Sequence, residues 1–254
     1  MKWLESLIVA LSMYSKIPMP HMEWTKENMR YTLCFFPAAG AAVGAVLWLW
    51  YQVSAWLPAG SILRTAVLVL IPVLITGGIH LDGPLDTADA LSSWQTKERR
   101  LEILKDSHAG AFAIIVCCGY FLAAFGIWSE ADPDGVVILS LGFILSRALS
   151  GFGISSFPCA KNSGLAATFA HAADQVKCRY ILLAEAGASI FFMILYNWRR
   201  GILAAAAAVA VCLLCRRMAM KKFGGITGDI QGFFLQVCEL AMAYAVILGG
   251  KIWF

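Results

Sequence analysis

Asp82, Asp86 and Asp89 are the residues of this chain whose type and spacing point most directly to chemistry. They lie in the stretch Thr76-Gly77-Gly78-Ile79-His80-Leu81-Asp82-Gly83-Pro84-Leu85-Asp86-Thr87-Ala88-Asp89. Positions i, i+4 and i+7 share one face of a helix. Three carboxylates on one face repel each other unless they are protonated or share cations. Mg²⁺ prefers such oxygen ligands and keeps positions open for phosphate oxygens. The three aspartates are therefore candidate metal ligands and catalytic groups. Gly77-Gly78 predicts a break in the preceding helix, and Asp82 with Pro84 two residues later predicts an N-cap opening a new one.

Other polar residues recur nearby. Asp106 precedes Ser107-His108-Ala109-Gly110, and Asp229 closes the segment Gly224-Gly225-Ile226-Thr227-Gly228-Asp229. Asp106 stands apart from the paired charges before it, and Asp229 enters the last apolar run. Arg147 and Lys161 read as cytoplasmic anchoring cations or as phosphate-neutralising groups, while His80 reads as a ligand or as a donor to one. Glu239 lies ten residues beyond Asp229, about 15 Å along a helix, where an unpaired carboxylate is costly and a partner is needed. Glu185 is one candidate for that partner. The segment Glu98–Asp106 reads as an exposed helical face with paired charges. Cys212 and Cys215 read as small packing hydrophobes at lipid depth. No phosphate-binding glycine loop and no zinc-type cysteine and histidine spacing is present.

These residues need a scaffold, and its nature follows from composition. Of 254 residues, 60% are hydrophobic and 14% charged, with a mean hydropathy of +0.72. A soluble globule carries about 25% charged residues, so the chain is read as an integral membrane protein. The apolar runs predict an all-α polytopic membrane helical bundle, a single domain over 1–254. About seven transmembrane helices are expected, near 31–57, 65–81, 109–129, 135–157, 180–198, 201–217 and 230–250. Arg147 lies within the fourth; an end near that arginine, leaving 148–160 as interfacial backbone, is the alternative used for the charge count. Residues 1–20, holding Glu5 and Lys16, predict an N-terminal interfacial helix. Gly40 and Gly44 predict a close helix contact.

Charge gives the orientation. Segments 1–30, 80–108, 147–179 and 216–229 carry four Lys or Arg each, sixteen of the twenty in the chain. The positive-inside rule then places the N-terminus and the long loops in the cytoplasm. Eleven of the sixteen carboxylates fall on that same side, so the active site is expected on the cytoplasmic face. The partners implied are a phosphate-bearing substrate and the lipid bilayer; nucleic acid is not expected, and a homo-oligomer is left open. Aspartate-bound Mg²⁺ also serves lipid-directed phosphotransferases and intramembrane prenyltransferases. The Asp-Gly-x-x-Ala-Arg element of the former and the second aspartate motif of the latter are absent. A transporter with Glu185 and Glu239 as ion sites would need two related halves, and none is visible.

In blocks running nearly end to end, the chain resembles the cobalamin synthase family (adenosylcobinamide-GDP ribazoletransferases). The blocks are Lys16-Ile17-Pro18 with Pro20, Phe36-Pro37 with Gly40 and Gly44, Thr76–Asp89, and Leu101–Ser107 with Gly110-Ala111-Phe112. Ser146-Arg147, Lys161 with Gly164-Leu165, and Gly224–Asp229 with Gly232 and Glu239 complete the set. Lys16 and Lys161 stand where arginine is usual. The resemblance implies a Mg²⁺-dependent phosphotransfer in a prokaryotic cytoplasmic membrane. A hydroxyl of α-ribazole, or of its 5′-phosphate, attacks adenosylcobinamide-GDP; GMP leaves and adenosylcobalamin or its 5′-phosphate forms. On this reading Asp82, Asp86 and Asp89 bind metal, and Asp86 or Asp89 orients the attacking hydroxyl. Asp106 and Asp229 assist catalysis, and His80, Arg147, Lys161, Thr227 and Glu239 contact substrate and phosphate or shape the polar cavity.

Overall fold

The computed structural model describes residues 2–58, 60–161 and 164–252. Among these every named element is helical, and the one β-type pairing is an isolated parallel bridge between Cys159 and Ile226. A short α1 (Lys2–Tyr14) and the single turn α2 (Lys26–Met29) lead into a 3₁₀ turn, Thr32–Phe35, and then α3 (Phe36–Ser54). Next come α4 (Ser61–Thr76), α5 (Ile79–Ser92), α6 (Lys97–Ile103), α7 (Ala111–Trp128) and α8 (Pro133–Ser156). The last four are α9 (Leu165–Ala172), α10 (Gln175–Tyr196), α11 (Trp198–Lys222) and α12 (Gly228–Ile252).

Six helical stretches, with the 3₁₀ turn and α3 taken as one, are long and apolar enough to cross a membrane, and the bent pair α4–α5 makes up to seven. The polytopic helical bundle follows from the apolar runs as anticipated. Large apolar side chains such as Leu122, Phe191, Leu195 and Leu214 face outward, which a bilayer satisfies and water would not.

Two local expectations are corrected and one alternative is decided. The second span does not run through residue 81. It stops at Thr76, and α5 leaves at 95° to α4. Gly77 and Gly78 both adopt left-handed backbone, φ 65° and 78°, a conformation glycine reaches without a Cβ penalty. Asp82 does not cap the helix: Gly78 is the N-cap, and Asp82 lies within the first turn, so the chain regains helical geometry directly after the left-handed pair. The fourth span runs past Arg147, in keeping with the expected 135–157 and not with the alternative end at that arginine. Helix α8 continues without a break to Ser156, because a buried acid on α12 meets the arginine's charge.

Helix α8 is the axis of the bundle, packed by α3, α10 and α12. Glycine controls the closest of these approaches: a Cβ on Gly40 would strike the Phe143 carbonyl and the stem of Arg147. Helix α12 in turn packs α5 and α11. A second apolar cluster ties α5, α8, α9, α11 and the start of α12 at one end of the bundle, through Ala90, Ile154, Phe169, Phe223 and Ile230. At the opposite end Arg200 grips Asp132, and Lys251 pairs with Glu130.

Candidate active site

The site grows from the crossing of α5 and α12. A Cβ on Gly83 would sit 2.7 Å from the Phe233 nitrogen and 2.8 Å from the Gly232 Cα. One on Gly232 would sit 3.0 Å from the His80 carbonyl. Any side chain at either position would wedge the helices apart. Asp82 immediately precedes Gly83, and Asp229 lies one turn before Gly232, so this contact brings the two acids to the walls of one cavity. Thr227 fixes the start of α12: its Oγ1 accepts from the Ile230 N–H at 3.2 Å and its hydroxyl donates to Asp229 Oδ2 at 3.3 Å. That is an N-cap arrangement, and it directs Asp229 into the first turn.

Asp82 is exposed, whereas Asp86 and Asp229 are half-buried. Burial, then the charges of Asp82, Asp229, Asp89 and Asp106, push the Asp86 carboxyl up to about 7. Carboxylates crowded in this way repel, and a cation relieves the repulsion. Asp106 is different. It is exposed and beyond the end of α6, where the backbone N–H of His108 (3.0 Å) and its Nδ1 (2.8 Å) hold the carboxyl below the usual range.

Asp89 faces away from the cavity. Its Oδ2 accepts from the Gly110 N–H at 2.7 Å and its Oδ1 from the Ala113 N–H at 3.0 Å, which caps α7. The shared helical face therefore splits between two tasks. Among the described residues no group of three or more His, Cys, Asp and Glu is gathered closely enough to hold a metal ion. Mg²⁺ is commonly held by one or two carboxylates together with substrate phosphates. Asp82 with Asp86, crowded and oxygen-only, fits that requirement.

Lys161 reaches the same end of the molecule. Ala160 N–H donates to the Ile226 carbonyl and Ile226 N–H to Pro158, both at 2.9 Å, so the loop after α8 is pinned to the entry of α12. The Lys161 ammonium donates to the Leu101 carbonyl. Burial and the neighbouring Lys105 hold its pKa below the usual lysine range, opposed by Asp229 and Glu102.

Arg147 and Glu239 lie deeper. Arg147 is fully buried, and its Nη1 pairs with Glu239, whose Oε1 also accepts from Ser146 Oγ at 2.9 Å. Glu239 thus finds its partner in Arg147 and not in Glu185. The pair joins α8 to α12 beneath the aspartates, with the arginine stem lying against Gly40. His80 is 5% exposed, and its Nε2 has no hydrogen-bond partner. Sequence reasoning did not single out Tyr14, Ser150, Phe169 or Gln231, which line the cavity with His80 and Asp82. A signal existed for Gln231 and Gln236, amides on an otherwise apolar helix: Ser150 Oγ donates to Gln231 Oε1 at 3.0 Å and Tyr120 Oη to Gln236 Oε1 at 2.5 Å.

Residues 6–247 match the family model described as cobalamin-5-phosphate synthase. A protein of Lachnoclostridium phytofermentans named adenosylcobinamide-GDP ribazoletransferase is 45% identical over 98% of this chain and 95% of its own length. Proteins of the same name from Clostridium botulinum (strain Alaska E43 / Type E3) and Desulfitobacterium hafniense are 33% and 34% identical. They cover 96% and 93% of this chain, and 97% and 94% of their own lengths. No solved structure matches the chain.

Proposed function

The chain belongs to the cobalamin-5-phosphate synthase family, and from that premise we propose that it joins adenosylcobinamide-GDP to α-ribazole or its 5′-phosphate. A ribose hydroxyl forms a bond to the cobinamide-side phosphorus, the bridging P–O bond to GMP breaks, and the hydroxyl gives up its proton. The products are adenosylcobalamin, or its 5′-phosphate, and GMP. Displacement at phosphorus depends chiefly on positioning and charge neutralisation. The observation that carries this reading is the meeting of Asp82 and Asp229 across the Gly83–Gly232 contact, with Asp86 crowded beside them.

Asp82 and Asp86 are the proposed Mg²⁺ ligands. When bound, Mg²⁺ supplies neutralisation of the pyrophosphate charge. Asp229, held by Thr227, is the carboxylate left to accept the hydroxyl proton. Lys161 faces the phosphates from the loop pinned to α12 and exchanges its bond to Leu101 for one to substrate. Asp89 and the Arg147–Glu239 pair act through other residues, as positioning groups. The sixteen-to-four split of cations supports a cytoplasmic N-terminus and cytoplasmic catalytic loops. On that reading a cysteine replacing Ser93 labels only from the cytoplasmic side, and one replacing Asp134 only from outside.

The decisive assay incubates purified protein with adenosylcobinamide-GDP, α-ribazole and Mg²⁺. Formation of GMP together with a complete cobamide is expected. Asp82→Asn and Asp86→Asn should each lower turnover by about 100-fold or more, in the range of losing a catalytic charge interaction. Near-normal rates for both across a Mg²⁺ titration would put the metal elsewhere.

A further inference from the structure

We infer that the cavity beside Asp82 seats the aromatic base of the acceptor substrate, and that His80 Nε2 recognises the base's unsubstituted ring nitrogen. The inference rests on the ribazole-transfer reading and adds to it which half of the substrate pair enters this cavity.

The cavity has a volume of about 190 Å³. Its walls are the rings of Tyr14, Phe36 and Phe169, from α1, α3 and α9, with Asp82 and Asp229 also on its lining. The Tyr14 ring lies 6.2 Å from the His80 ring at an interplanar angle of 26°, and the Phe36 ring lies 5.5 Å away. Three elements far apart in sequence thus place their rings together on the lining of one cavity, a surface against which a flat ring can pack.

His80 supplies a buried, unanswered nitrogen to this wall. It is only 5% exposed, and Nε2 meets no hydrogen-bond partner among the described residues. An unmet buried polar atom is costly, so a ligand that completes its bonding is favoured by that deficit. Elsewhere on the wall Ser150 and Gln231 are bonded to each other and Asp229 is bonded by Thr227, while Asp82 and the Tyr14 hydroxyl complete its polar groups. A benzimidazole riboside matches this inventory: hydrocarbon around its rim, with a single free ring nitrogen. Guanine, the other base of the reaction, carries donors and acceptors along most of its edge. The aromatic part of the wall beside His80, formed by the rings of Phe36 and Phe169, offers no partners for them. With the base seated, the ribose lies one glycosidic bond away, which brings its hydroxyl toward Asp82 and Asp229.

The experiment measures equilibrium binding of α-ribazole to the full-length protein in detergent, without the second substrate, and of GMP in parallel. His80→Leu and Phe169→Ser are expected to weaken α-ribazole binding by about tenfold or more, the equivalent of one lost buried hydrogen bond or packed ring. His80→Gln, which keeps an N–H donor, should recover most of the loss. GMP affinity should stay within about twofold of wild type by the same reasoning. A phenolic riboside, lacking the ring nitrogen, should bind wild type and His80→Leu alike. Phe169 belongs to the short α9, so its variant reports on the slot even where a change at His80 disturbs α5. Loss of GMP binding in place of α-ribazole binding would assign the cavity to guanine and overturn the inference. Unchanged binding of both ligands, or wild-type protein that binds no α-ribazole, would overturn it equally. Absence of GMP formation by wild type with both substrates would instead refute the transfer reading, since the binding measurement stands without turnover.

Discussion

Asp89 on α5 and Gly110 at the mouth of α7 are joined by a 2.7 Å hydrogen bond, carboxylate to backbone N–H, and the second Asp89 oxygen reaches Ala113 three residues on. One acid of the aspartate face is thereby a helix cap. The negative charge also sits where the α7 dipole is positive. Asp89→Ala should lower stability by about 1–2 kcal/mol, the usual value of a lost N-cap, read as an earlier thermal unfolding midpoint in detergent. Asp82→Ala should leave the midpoint close to wild type while abolishing turnover. An unchanged midpoint for Asp89→Ala would remove the capping role.

The Gly83–Gly232 contact makes a separate prediction. Gly83→Val forces a branched side chain onto the Asp229 carbonyl and the Phe233 nitrogen. Neither backbone atom can move aside without displacing α12. Overpacking of this kind costs about 1–3 kcal/mol, and the separation of Asp82 from Asp229 should reduce kcat more than it raises KM. Wild-type kcat with a lowered unfolding midpoint would show that the crossing serves stability alone.

The buried Arg147–Glu239 pair should behave as a unit. Removing one partner, as in Arg147→Met, leaves a buried charge unanswered and should cost about 3–5 kcal/mol. Arg147→Met with Glu239→Leu should regain most of it, because two apolar side chains also fill the space. KM for adenosylcobinamide-GDP in the double variant should remain near wild type if the arginine holds helices together. A large rise in that KM, with stability restored, would return Arg147 to phosphate binding.

Acid should loosen the end of the bundle away from the aspartates. Asp132 receives two bonds from Arg200, at 2.5 and 2.6 Å, and one from the Gly135 N–H at 2.9 Å. Chiefly the Arg200 bonds hold its carboxyl below the usual range. A carboxyl with a depressed folded pKa stabilises above its unfolded pKa, and the contribution is lost as pH falls through the folded value. Asp132 is partly exposed, so the contribution is about 1 kcal/mol or less. Asp132→Asn should therefore lower the unfolding midpoint at pH 7, with wild type and variant converging as the pH falls below the usual aspartate value and through the depressed one. A gap that persists unchanged in acid would argue against the ion pair.

The bundle was legible because a membrane leaves little freedom: apolar runs of span length must become helices to satisfy their own backbones. The motif at Asp82 was legible too, since acids spaced i, i+4, i+7 share a face on any helix. Helix boundaries were less so. Apolar runs predict a single second span through residue 81, whereas the left-handed pair Gly77-Gly78 turns the chain through 95°. Glycine permits such a turn without requiring it.

Type and spacing therefore determined the fold class, the segments that carry the charge, and Asp82, Asp86 and Asp229 as candidate groups. Only the tertiary structure decided how those groups are shared out. Asp89 belongs to α7 because that helix begins where its oxygens point, and Arg147 belongs to Glu239 because α8 and α12 bury both. The slot formed by Tyr14, Phe36, His80 and Phe169 depends on elements up to 155 residues apart. Ring types and spacing within one helix constrain neighbours a turn away, and contacts between helices arise only when the chain packs.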